Sequence, residues 1–351
     1  MTASNRVINT LIIGQGLAGS ILAWQLMQRG QSVLLVNQET SPSASRVAAG
    51  LFNPVTGQRF VLQTNAELII PAARCFYSQL EKLFGQTLFF AKPMLRIINS
   101  EKELAAIEKR KADPAYADYL GDIVQNKLLN APLGAIEQFH TGYLDTNTLL
   151  DYLKAFFVEQ DSYITAQFDC SAMSMTESGI HWNGIDSRRI IFCEGFMGRN
   201  NPWFNWLPFQ PAKGEILTLA SDANLPDQII NGGRWLLPLF DGSYKTGATY
   251  DHDLSSIKPT GTAKSELVEA MQQLLSHKAE YEVTDHQCGV RPNTLDKKPF
   301  IGFLPQQHQI GIFNGFGSKG SMLIPWYADA FASHITCGTD IPADSDIARV
   351  C

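Results

Sequence analysis

The chain has 351 residues, 45% of them hydrophobic, enough to bury one large core or two moderate ones, and its length points to two or three domains. Lys+Arg number 28 against 34 Asp+Glu, a net charge of -6, which provides no electrostatic footprint for nucleic acid and disfavours polyanionic partners. No apolar run reaches the length of a membrane span, MTASNRV has no leader pattern, and the six cysteines stand singly without metal spacing; the expectation is a cytoplasmic protein with reduced thiols and no metal.

The first informative segment is VINTLIIGQGLAGSILAWQLMQRGQSVLLVNQE. An apolar strand to Ile13 leads into Gly14, Gly16 and Gly19 in GxGxxG spacing, then Leu17 and Ala18 open a helix to about Arg29, Gly30 stops it, and SVLLV forms a second strand. This βαβ unit predicts a dinucleotide site: Gly14 for the tight turn, Gly16 for approach of a pyrophosphate, Gly19 for close helix–strand packing, with the helix N-terminus facing the anion. One position departs from the pattern. Where an acid usually takes the ribose hydroxyls the chain has Asn37, then Gln38, and Glu39 replaces the acid if the strand runs two residues longer.

The following loop, SASRVAAGLFNP at 43–54, is rich in small residues that let backbone amides reach a ligand, and Ser45 and Arg46 can donate to phosphate. SEKELAAIEKRKADPAYADYL reads as a charged surface helix ended by its Asp-Pro step. TGYLDTNTLLDYL enters a helix with Asp145 or Thr146 as N-cap, and RRIIFCEGF is a buried strand ending at Gly195. PAKGEILTL, GGRWLLPLFDG and SYKTGATYDHD alternate apolar residues with turns, the pattern of antiparallel strands. GTAKSELVEAMQQLLSHKA is an amphipathic helix.

Near the C-terminus, CGVRPNTLDKKPFIG confines Arg291 between Val290 and Pro292. Such an arginine either clamps an anion bidentately or pairs internally, with Asp296 as the partner at hand. QIGIFNGFGSKGSMLIPWYADAFASHI then gives a strand, a glycine loop and a helix with apolar spacing at Leu323, Trp326, Phe331 and Ile335. The histidines show no metal spacing or nucleophile arrangement.

Taken in order over nearly the whole chain, these motifs resemble the D-amino-acid oxidase superfamily, the FAD-dependent amine and amino-acid oxidoreductases that include glycine and sarcosine oxidases. The resemblance implies an α/β fold: a Rossmann-type FAD-binding domain (GR2-like) built from 1–60, 140–205 and 285–351, interleaved with an antiparallel-sheet α+β substrate domain built from 61–139 and 206–284. It implies FAD held by Gly14, Gly16, Leu17, Ala18, Gly19, Asn37, Gln38, Ser45, Arg46, Ala48, Ala49, Gly50, Gly195 and the loop Gly315, Gly317, Ser318, Lys319 and Gly320.

It further implies that Arg291 binds the carboxylate of a small carboxylated amine, that Trp235 faces the substrate, and that Lys319 adds positive potential at the flavin pyrimidine. Hydride then passes to flavin N5, and oxygen or an electron carrier re-oxidises the cofactor. Departures stand at Glu194, where a small residue is usual, and at Phe316, where His is common. Cys288 does not match the spacing of a flavin tether. Three alternatives stay open: a 2-hydroxy-acid dehydrogenase on the same scaffold, a tRNA-modification-type flavin oxidase, and a non-catalytic flavin-binding protein.

Overall fold

A computed structural model describes residues 6–38, 43–176, 179–223 and 225–350. The chain divides into two compact units, one of residues 1–46, 146–211 and 290–351, the other of 47–145 and 212–289. The sequence motifs place these divisions at 60/61, 139/140, 205/206 and 284/285. The boundaries at 46/47 and 145/146 lie at the end of a four-residue helix, Ala44–Val47, and at the start of the helix Thr146–Glu159.

The first unit is built on an eight-stranded sheet. Tyr163–Thr165, Val33–Asn37, Arg6–Ile13 and Ile185–Phe192 run parallel in that spatial order. The upper half of Ile185–Phe192 pairs in parallel with Gln307–Asn314, and its lower half pairs with the antiparallel hairpin Met173–Thr176 and Gly179–Trp182. Phe300–Leu304 closes the edge against Gln307–Asn314. The central strands are apolar and buried in their carboxyl-terminal halves, with Leu11, Leu34 and Ile190 at 0% exposure, as parallel strands covered on both faces are.

The helix Leu17–Gln28 is correspondingly buried nearly all round. On one side Trp24 packs against Phe156 of Thr146–Glu159, ring centroids 4.9 Å apart. On the other, Arg29 pairs with Asp329 of the C-terminal helix Gly320–Cys337 at 2.6 Å. The consequence for function is positional. Five parallel strands bring Thr165, Asn37, Ile13, Phe192 and Asn314 to one edge, and the loops outside the carboxyl ends of such strands are where open α/β sheets bind ligands.

The second unit is a largely antiparallel eight-stranded sheet in the order Glu282–Arg291, Ala212–Ala220, Tyr244–Gly247, Trp235–Pro238, Ile229–Asn231, Met94–Ile97, Ala135–Gln138 and Leu120–Val124. Period-two alternation gives it two apolar faces. Leu217, Leu219, Ile230 and Leu236 pack with Leu267, Met271 and Leu274 of the helix Gly261–Leu274. The opposite face carries Ile216, Ile229, Leu237 and Met94, packed with Val47, Ala49 and Tyr143. Among the described residues no helix is long and apolar enough to cross a membrane, and no group of three or more His, Cys, Asp or Glu side chains is arranged to hold a metal ion.

Candidate active site and cofactor cradle

The glycine turn is shaped by close approach. Gly14 has φ +105, and a Cβ there would lie 2.5 Å from the carbonyl oxygen of Cys193; a Cβ on Gly19 would lie 1.9 Å from the carbonyl oxygen of Gly14. No side chain fits at either position. The Gly16 position is looser, its Cβ meeting Ser45 Oγ at 3.1 Å. The turn thus excludes side chains at Gly14 and Gly19 and lies beside the first turn of a twelve-residue helix, an arrangement that suits a diphosphate.

Two side chains named from the sequence as phosphate or ribose ligands serve the turn itself. Asn37 Oδ1 accepts from the backbone amide of Gln15 at 3.0 Å, and Ser45 Oγ accepts from the amide of Leu17 at 3.1 Å. Gln15, 6% exposed, donates from Nε2 to the carbonyl of Leu150 at 3.0 Å. Arg46 donates to Asp151 Oδ1 at 2.6 Å and to the carbonyl of Asn147. Gln38 is exposed, Ala18 half-buried, and Glu39 lies outside the described residues.

In the second unit, Ala48, Ala49 and Gly50 follow the short helix. Gly50 exchanges backbone contact with Leu144, whose amide donates to the Gly50 carbonyl at 3.0 Å, and a Cβ on Gly50 would sit 1.9 Å from the Leu144 carbonyl oxygen. Trp235 is half-buried on the Ile216–Leu237 face, beside Gly247. Cys288 is buried at 7% exposure. By strand alternation Lys245, opposite Leu237, shares the Trp235 face; burial pulls its ammonium below the ordinary lysine value, against Asp145, Asp285 and Asp241, which raise it.

Arg291 ends the strand Glu282–Arg291 and is half-buried. Asp296, the internal partner of a purely structural reading, is engaged by another arginine: its Oδ2 accepts from Arg349 Nε at 3.0 Å, and its Oδ1 accepts from the Lys298 amide at 3.0 Å. The backbone after Arg291 is fixed on both sides. Gln210 N donates to the carbonyl of Asn293 at 2.7 Å, and Gly317 N donates to that of Pro292 at 3.3 Å. The Arg291 turn and the Gly315–Gly320 loop are therefore neighbours.

Within that loop Gly315 is buried, Ser318 exposed, and Lys319 half-buried at the N-cap position of Gly320–Cys337. Burial lowers the Lys319 ammonium below its ordinary value, and the cations Lys297 and Lys298 lower it further. Phe316 packs inward on Phe313, ring centroids 4.8 Å apart.

Sequence reasoning missed the polar side chains that join these loops. Asn314, 2% exposed, donates from Nδ2 to the Gly195 carbonyl at 2.8 Å and accepts at Oδ1 from Gly315 N at 2.8 Å. Asn201 donates to Glu194 at 2.8 Å. An Asn immediately before a loop glycine was the available signal for the first; the second joins residues seven apart and had none beyond an unusual acid.

Comparison with known proteins identifies the fold and the family. A glycine oxidase of Pseudomonas aeruginosa is 29% identical over 354 aligned residues, covering 92% of each protein. The tRNA 5-methylaminomethyl-2-thiouridine biosynthesis bifunctional protein MnmC of Marinobacter nauticus is 24% identical, covering 93% of this chain and 55% of that protein; the chain thus spans about half the length of that relative. Among solved structures, glycine oxidase from Geobacillus kaustophilus superposes with a TM-score of 0.80 at 16% identity, covering 97% of both chains, and iminodiacetate oxidase from Chelativorans with 0.78 at 20%, covering 95% of this chain and 97% of that one. The family profile described as DAO, FAD dependent oxidoreductase, matches residues 9–334. The chain belongs to the DAO family and is an FAD-dependent oxidoreductase.

Proposed function

We propose that the enzyme oxidises the C–N bond of a small carboxylated amine, an amino acid or N-methyl amino acid. The observation that carries this reading is Arg291, held at a strand end by a backbone fastened to the Gly315–Gly320 loop. A guanidinium presents a planar fork matched to a carboxylate, and Pro292 stiffens its turn. The glycine oxidase relatives support an amine rather than an alcohol as the oxidised group.

Bound FAD supplies a hydride acceptor, and the substrate leaves as an imine that water hydrolyses. The chain's own residues do the rest. Gly14, Gly16 and Gly19 admit the diphosphate, while Asn37 and Ser45 hold the turn open by taking up the amides of Gln15 and Leu17. Arg291 orients the carboxylate and so fixes which C–H faces the acceptor. Lys319 and the amides that open the helix Gly320–Cys337 provide positive potential where negative charge develops. A substrate amine bound neutral needs no strong protein base.

The experiment is product analysis: aerobic or dye-linked turnover of glycine, sarcosine and D-amino acids should release a 2-oxo acid with ammonia or methylamine. Turnover of 2-hydroxy acids alone would replace the reading with alcohol oxidation. The MnmC likeness favours a second reading, an amine carried on tRNA. It predicts a tRNA mobility shift at low salt and no reaction with free amino acids.

A further inference from the structure

The acid missing at position 37 has a counterpart elsewhere on the same edge of the sheet. Glu194 follows Phe192 and Cys193, the residues paired with Ile13, and its Cα would lie 3.5 Å from a Cβ on Gly14. It is half-buried and its carboxylate is pinned: Oε2 accepts from Asn201 Nδ2 at 2.8 Å, while Asn201 Oδ1 accepts from the amide of Trp203 at 3.0 Å, which fixes the amide's orientation. Asn201 itself is 4% exposed.

On the other side, the Gly195 carbonyl is tied to Asn314. The backbone of Glu194 and Gly195 therefore stands between the glycine turn and the loop that opens the C-terminal helix, with the carboxyl on Asn201.

A half-buried acid with one oxygen held by an amide keeps its other oxygen available to a hydroxyl donor. The strand order says which. Asn37 ends the strand on one side of Arg6–Ile13, and Glu194 follows the strand on the other. In dinucleotide folds the adenosine ribose lies over the end of the second strand, so Glu194 lies on the far side of the diphosphate from adenosine.

We infer that Glu194 accepts a hydrogen bond from the hydroxyl-bearing chain of FAD that joins the diphosphate to the flavin. Burial pushes the carboxyl above its ordinary value, against the Asn201 hydrogen bond.

The test uses the protein freed of its flavin. FAD affinity is read from quenching of flavin fluorescence, and ADP affinity from displacement of FAD. ADP carries the adenosine and diphosphate but lacks the polyol. Glu194→Ala should weaken FAD by about tenfold, the equivalent of one hydrogen bond to a charged group, and leave ADP affinity unchanged. Unaltered FAD affinity, or an equal loss for FAD and ADP, overturns the assignment. Should the alanine variant not fold, Glu194→Asp, which withdraws the oxygens by one bond, reads the same difference between the two ligands.

Discussion

Gly317 donates its backbone amide to the carbonyl of Pro292 at 3.3 Å, and a Cβ on Gly317 would lie 2.6 Å from Asn293 Oδ1. The loop before the C-terminal helix and the turn after Arg291 are therefore one piece of structure. Gly317 also has φ +56, a conformation that costs other residues about 1 kcal/mol or more. Gly317→Ala should displace the Arg291 turn, raising KM for a carboxylated amine while the flavin stays bound. An unchanged KM would separate the loop from substrate binding.

Arg291→Lys keeps the charge and removes the fork. Flavin content should be unchanged, and carboxylate inhibitors, titrated by perturbation of the flavin spectrum, should bind at least about tenfold more weakly, roughly one charge-assisted hydrogen bond. Equal inhibitor affinity in the two proteins would take Arg291 out of the site.

The Gly19 position tests the cradle. Because a Cβ added at this position would lie 1.9 Å from the Gly14 carbonyl oxygen, Gly19→Ala must push the helix off the strand, an overpacking that costs about 1–3 kcal/mol. Thermal unfolding should fall by several degrees, and the ratio of flavin to protein absorbance should drop with it. Full flavin occupancy would mean that the helix N-terminus does not hold the diphosphate.

Asp296 yields a pH dependence. Burial acts to raise its carboxyl, but the hydrogen bonds from Arg349 and from the Lys298 amide outweigh this and hold it below the ordinary value of 3.8. A depressed folded value means that the contribution is present above pH 3.8 and lost as pH falls through the folded value. Arg349→Met should therefore be less stable than the parent at neutral pH, and the gap should close in acid. A gap constant from about pH 7 to about pH 2 would show that the pair does not act through ionisation.

The parts of this protein legible in its sequence are the local ones. The spacing of Gly14, Gly16 and Gly19 carries its own geometry, because the turn, the helix and the two strands are contiguous, and the strand ends at Asn37 as its apolar run predicts. Side-chain roles are less legible because their partners are distant in the chain. Arg46 reads as a phosphate ligand, yet Asp151, 105 residues away, takes its guanidinium. Asp296 reads as the partner at hand for Arg291, yet Arg349, 53 residues away, holds it.

Asn37 shows the same limit at shorter range: an amide at the ribose position reads as a weakened ligand until the Gln15 amide is seen bound to it. A carboxylate there would serve the same backbone donor with more charge; the amide serves it with less.

In the proposed reaction a small carboxylated amine reduces the flavin. The most direct measurement is the visible spectrum of the purified protein before and after anaerobic addition of glycine, sarcosine, D-amino acids, proline and 2-hydroxy acids in turn. An oxidised flavin spectrum should be bleached by at least one amino or N-methyl amino acid and left untouched by hydroxy acids. A flavin that none of the amines bleaches, or that only a hydroxy acid bleaches, would contradict that reaction.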